Sequence, residues 1–166
     1  MAFALQFTGE KMVIEIGHTD SGHSAISDLP NPYSGLRAMV FESVGPIRHE
    51  VNVPFHDSQV RGIALLIETR WDQHWGTDTY WSPGPFLGEH LIFRMIRSGV
   101  RLVGVDFPVG ERSAETRLLT GGKIPIVENL RGLASLPRVG FRFSAIPLVS
   151  TPSAVSAVQA LAELNR

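Results

Sequence analysis

Apolar and polar positions along this chain follow two periods, and the changes between them mark its elements. Short aliphatic or β-branched runs at Met12–Ile16, Leu36–Phe41, Ile63–Thr69, Leu102–Asp106, Ile124–Val127 and Phe141–Val149 read as buried strands. Pro85–Ser98 has helical spacing instead: Leu87, Leu91, Met95 and Ser98 make a stripe that Ile92 and Ile96 widen. Pro85 suits a first turn, and Gly99 suits the residue just past a helix end. Strand, helix and strand from Ile63 to Asp106 therefore predict a crossover unit. In the tail, Thr151 can cap, Pro152 can take the first helical position, and Val155, Val158 and Ala162 form a stripe. That favours a helix over residues 152–165, although Ser153–Val158 also suits a final strand.

The turns are rich in proline and glycine, as in Pro83-Gly84-Pro85 and Gly121-Gly122. No internal repeat, long linker or second-domain boundary stands out. The expected architecture is a single α/β domain over residues 1–166, with a mixed β-sheet core and few helices.

Composition narrows the chemistry. The chain has 166 residues, 43% hydrophobic and 19% charged, enough for a sizeable core. A formal net charge of −1 gives no basic surface for nucleic acid or anionic membrane. There is no cysteine, which excludes disulfides, thiolate nucleophiles and cysteine-bound metals. Histidine and carboxylates remain as the strong candidate ligands. Met1–Phe7 lacks the basic start and the apolar length of a secretion signal. No apolar run reaches the roughly 20 residues of a membrane span. A cytoplasmic, soluble protein acting on a small molecule is the expectation, with neither nucleic acid nor membrane as partner.

Three segments carry a resemblance. Ala64–Thr77 (ALLIETRWDQHWGT) combines an apolar strand with Thr69-Arg70-Trp71-Asp72 and Trp75-Gly76-Thr77. Leu102–Pro108 reads LVGVDFP, and Leu118-Leu119 is followed by Ile124–Leu130, IPIVENL. In that order and spacing, with Phe141–Leu148 as the next strand, the chain resembles the cyclase family, which includes bacterial kynurenine formamidases. The resemblance implies an α/β fold, a homo-oligomer, and an active site built from two separate parts of the chain. Trp71, Trp75 and Phe107 become candidate substrate-binding aromatics, although each also suits ordinary core packing.

The family's metal motif is His-x-Gly-Thr-His-x-Asp-x-Pro, completed by a later His and by the Glu of Glu-Asn-Leu. A cation so held polarises a carbonyl and lowers the pKa of bound water. Ile14–Ile26 (IEIGHTDSGHSAI) lies on that motif with its ligands eroded. His18 takes the first His position, but Gly22 stands at the second, Ser24 at the Asp and Ile26 at the Pro. Glu115 falls where the later His is expected, and Glu128 matches. Two of the five ligand positions thus keep a matching residue, so no tightly bound cofactor is expected, with zinc and manganese disfavoured. The N-terminal part is also short for the family, and Ser27–Ser34 leads quickly into the strand at Leu36.

His18, Asp20, His23 and Ser24 nevertheless lie together in one predicted turn, where His and Asp can trade protons near neutrality. With Glu115 and Glu128 they are the candidate catalytic residues. The reading is a cyclase-family enzyme acting on a small carbonyl, amide or lactone-type compound by ring closure, dehydration, isomerisation or hydrolysis, without the usual metal. Two alternatives stay open: a metal-dependent amidohydrolase of kynurenine formamidase type with substituted ligands, and a non-catalytic relative that binds a small molecule or a protein. The same turn residues also suit a plain polar turn.

Overall fold

A computed structural model describes residues 5–8, 11–15, 33–46, 50–109, 122–147 and 158–165. Eight strands and one α-helix lie within them. The strands are β1 (Leu5–Thr8), β2 (Lys11–Glu15), β3 (Leu36–Glu42), β4 (Ala64–Glu68), β5 (Leu102–Val105), β6 (Ile126–Val127), β7 (Phe141–Pro147) and β8 (Val158–Asn165). They form one sheet in the order β1-β2-β8-β7-β3-β4-β5-β6. From β3 to β6 neighbours run parallel, and every other pair is antiparallel. The expected mixed α/β sheet with few helices is what the chain builds.

The nearly all-apolar character of β4 and β5, broken only by Glu68 at the end of β4, follows from their position. Every residue of both strands is buried, as befits parallel strands covered on two faces. Leu65, Ile67, Val103 and Val105 turn toward one core, which helix α1 (Glu89–Ser98) fills with Leu91, Ile92 and Met95. Ala64, Leu66 and Leu102 turn toward the other, shared with Phe141, Phe143, Ala160 and Ala162 and roofed by Leu130, Leu133 and Leu136. Gly104 lets that roof close: a Cβ there would stand 2.6 Å from Leu66 Cδ2 and 2.7 Å from Leu130 Cδ1.

Helix α1 starts later than its spacing suggests. Pro85 to Gly88 stays extended because Phe86 is engaged elsewhere: Glu50 bridges to it, and Val51 N–H donates to its carbonyl at 2.9 Å. The far end is as expected, with Gly99 left-handed (φ 75°) and its N–H closing on Ile96 and Met95 carbonyls. β6 is two residues long rather than four. Pro125 has no N–H for the ladder and serves only as acceptor, from Val103 N–H at 3.0 Å.

The tail corrects the helical expectation. Residues 158–165 are a strand, β8, hydrogen-bonded between β2 and β7. Val158 and Ala162 are four apart and so suit a helical stripe, but Ala160 and Ala162, both fully buried, share one face of the sheet. Both pack into the core that also holds Phe141, Phe143 and Leu133. Among the described residues no helix is long and apolar enough to cross a membrane.

Candidate functional site

The carboxyl ends of the four parallel strands carry a row of acids. Glu42 closes β3 and pairs in register with Glu68, which closes β4. Asp106 follows β5, and Glu128 follows β6. This edge is where open α/β sheets characteristically place their chemistry. The four acids meet three different environments.

Glu42 and Glu68 form a closed ring with two arginines. Arg70 NH2 lies 3.0 Å from Glu42 and its Nε 3.6 Å from Glu68 Oε1. Arg138 NH1 lies 2.5 Å from Glu68 Oε2 and its NH2 3.3 Å from Glu42. Glu68 is buried, and its Oε1 makes no hydrogen bond. The charges balance, so this ring ties the ends of β3 and β4 to the segment before β7.

Asp106 is buried as well, and it organises the turn after β4. It accepts from Thr69 N–H at 2.8 Å, Thr69 Oγ1–H at 2.6 Å and Arg70 N–H at 2.7 Å. Those bonds hold Arg70 in the left-handed region (φ 64°), which launches the short 3₁₀ turn Trp71–His74. Burial raises the Asp106 carboxyl to about 6, with Asp72 adding to the rise, while the bonds from Thr69 and Arg70 pull it down.

Glu128 is half-buried, and Val109 N–H donates to its Oε2. Its chain neighbour Asn129 is left-handed (φ 60°) and accepts from Tyr80 Oη–H at 2.8 Å. Tyr80 in turn belongs to an aromatic cluster. Its ring centroid is 4.9 Å from Trp75 and 5.1 Å from Trp81, both at steep angles. Arg131 lies over the Trp75 ring at 5.1 Å, and Trp81 is 65% exposed. A carboxylate held by a backbone N–H, an arginine and a partly open aromatic wall thus gather at the β6 end of the edge. Such a set can fix a planar polar molecule and exchange a proton with it.

Of the candidate aromatics, Trp71 and Phe107 are buried in the core, 0% and 1% exposed. Trp71 serves the scaffold: Nε1–H donates to Tyr80 O at 3.0 Å, and its ring lies against Gly84, where a Cβ would come within 2.6 Å. Trp75 keeps exposed surface. His18, Asp20, His23, Ser24 and Glu115 lie outside the described residues. Tyr80, Trp81, Asn129 and Arg131 join the site without having been singled out. Asn129 lies within the Ile124–Leu130 motif and Arg131 directly after it, close enough to have been suspected, whereas Tyr80 and Trp81 carry no local signal.

The metal that the family resemblance implies needs at least three convergent donors. Among the described residues no group of three or more His, Asp or Glu side chains converges in that way, and Glu128 is the single described residue on a family ligand position. The other four family ligand positions, at His18, Gly22, Ser24 and Glu115, lie outside the described residues.

No protein-family model and no curated protein matches the sequence. Solved structures do match its fold. An isatin hydrolase bound to the product analogue thioisatinate superposes with a TM-score of 0.65 at 14% identity, covering 85% of this chain and 64% of its own. Isatin hydrolase A from Ralstonia solanacearum gives 0.66 at 20% identity, with 87% and 65% covered. A potential metal-dependent hydrolase with cyclase activity gives 0.56 at 16% identity, with 93% and 78% covered. The chain spans just under two thirds of the length of the two isatin hydrolases. It shares the fold of these cyclase-like hydrolases.

Proposed function

We propose that this protein is a hydrolytic enzyme of the cyclase type, opening a small amide, lactam or lactone. The observation that carries the reading is the placement of Glu128. It stands at the carboxyl edge of the parallel strands, held by Val109 N–H and next in sequence to the Asn129 that Tyr80 holds, with Trp75 on the Tyr80 ring and Arg131 over Trp75, on a fold shared with isatin hydrolases.

In this reading the Glu128 carboxylate takes a proton from water as the oxygen attacks the carbonyl carbon. The same proton passes to the leaving nitrogen or oxygen as the C–N or C–O bond breaks. Arg131 offers positive charge to an anionic product, and Trp75 and Trp81 offer an apolar wall. His18, His23 and Asp20 supply the opposing acid or base, with Ser24 as hydrogen-bond donor and Glu115 as a second carboxylate. The family's usual metal set is replaced by these groups.

The test is an ultraviolet assay of ring opening with isatin, an N-formyl aryl amine and simple aryl lactones, run with and without added zinc or manganese. Turnover of at least one of them, reduced about 10²–10⁴-fold in Glu128→Gln with the fold intact, is expected. No turnover of any of them, or full activity in the variant, overturns the reading.

A further inference from the structure

We infer that Tyr80 and Asn129 are positioning residues that set the Glu128 carboxylate; this rests on the reading of Glu128 as the proton-exchanging group. Between Glu128 and Leu130 the backbone reverses through Asn129, a residue type that tolerates the left-handed region better than most. The reversal is pinned on both sides. Leu130 N–H donates to Val105 O at 3.0 Å, and Asn129 N–H reaches Phe107 O at 3.4 Å. These bonds fasten the backbone but leave the direction of the turn to the Asn129 side chain.

Tyr80 supplies that direction. Its hydroxyl stands 2.8 Å from Asn129 Oδ1 and 3.5 Å from Asp106 O. The ring is fully buried, and its own carbonyl is held by Trp71 Nε1–H. Burial pushes the phenol well up, with the charges of Asp106, Glu128 and Asp72 adding to the rise, so the hydroxyl stays a donor across the working pH range. Tyr80 also touches Trp75 and Trp81, so the side chain that steers the Glu128 turn is packed into the aromatic wall. Contact with that wall and orientation of the carboxylate are therefore one mechanical unit.

The experiment is amide NMR of the full chain, with Tyr80→Phe and Asn129→Gly beside the wild type. Tyr80→Phe keeps the ring and its packing and removes only the hydroxyl. Asn129→Gly keeps the left-handed backbone and removes only the acceptor. In both, the Val109 amide proton should move upfield and exchange faster as its bond to Glu128 weakens, while the amides of β4 and β5 hold still. On any substrate turned over by the wild type, kcat should fall about 10²-fold with KM little changed, the signature of a misplaced group rather than a lost contact. A Val109 amide unmoved in both variants overturns the inference, whatever the activity. A moved Val109 amide in a protein that turns over nothing supports the positioning role and removes the proposed function instead.

Discussion

Arg138 holds the buried carboxylate of Glu68 from 70 residues away, NH1 to Oε2 at 2.5 Å, and reaches Glu42 with its other nitrogen. The pair is asymmetric: Glu68 is 2% exposed and Arg138 is 48% exposed. Removing the arginine leaves a carboxylate that cannot recover its lost solvation, whereas removing both partners spares that cost.

Arg138→Ala should therefore lower stability by about 1–3 kcal/mol, since Arg70 still offers partial compensation from 3.6 Å. The double variant Arg138→Met with Glu68→Leu should recover most of that loss. Urea unfolding of the three proteins checks both statements, and a double variant worse than the single one contradicts them.

Asp106 makes stability depend on pH in an unusual direction. Its folded value, about 6, lies above the ordinary 3.8, so between those values the folded state holds the extra proton. Stability is fully present below about 4 and falls as pH rises through about 6, by an amount on the order of 1–3 kcal/mol. Asp106→Asn should flatten that slope, and it should cost about 1–2 kcal/mol at neutral pH because an amide cannot accept from all three Thr69 and Arg70 donors. Denaturant midpoints at three pH values measure both effects.

Two glycines should respond unequally to alanine. At Gly104 the new methyl meets the ends of Leu66 and Leu130, which can rotate, so about 1 kcal/mol is expected. At Gly84 it meets the rigid indole of Trp71, which is fully buried and hydrogen-bonded to Tyr80 O. A cost of about 2–3 kcal/mol is expected, together with a change in Trp fluorescence. Equal thermal shifts in the two variants would speak against this ordering.

Protein purified without chelator should carry far less than about one equivalent of zinc or manganese, since Gly22, Ser24 and Glu115 stand where ligands are expected. Elemental analysis decides it. Stoichiometric metal that disappears along with activity in Glu128→Ala would restore the metal-dependent alternative.

The parallel core was legible in the sequence because burial on both faces leaves β4 and β5 almost without polar residues, and apolar runs this short between turn signals favour strand over helix. Glu128 entered the candidate site through its motif, and the fold sets it just past β6. The ring of Glu42, Glu68, Arg70 and Arg138 was not legible, because its members lie up to 96 residues apart and none has a local signature. β8 was misread because Val155, Val158 and Ala162 have helical spacing after a Thr151-Pro152 start, whereas the pairing with β2 and β7 that makes residues 158–165 a strand leaves no local signature. Tyr80 was invisible for a similar reason: its role depends on Asn129, 49 residues away.

The place of β8 bears on how the chain is assembled as it emerges from the ribosome. Hairpin β1–β2 is made well before the strand that docks it, β8, with Lys11 facing Asn165 and Glu15 facing Leu161. Until β8 has been made, then, the hairpin waits with an open ladder edge while the parallel strands gather without it. Closing so long a loop is entropically slow, and an unpaired edge invites capture by neighbouring nascent chains. Folding yield in the cell should accordingly hinge on how promptly residues 158–165 slot into place, and chaperones that shield strand edges should matter more to this protein than those that shield apolar helices.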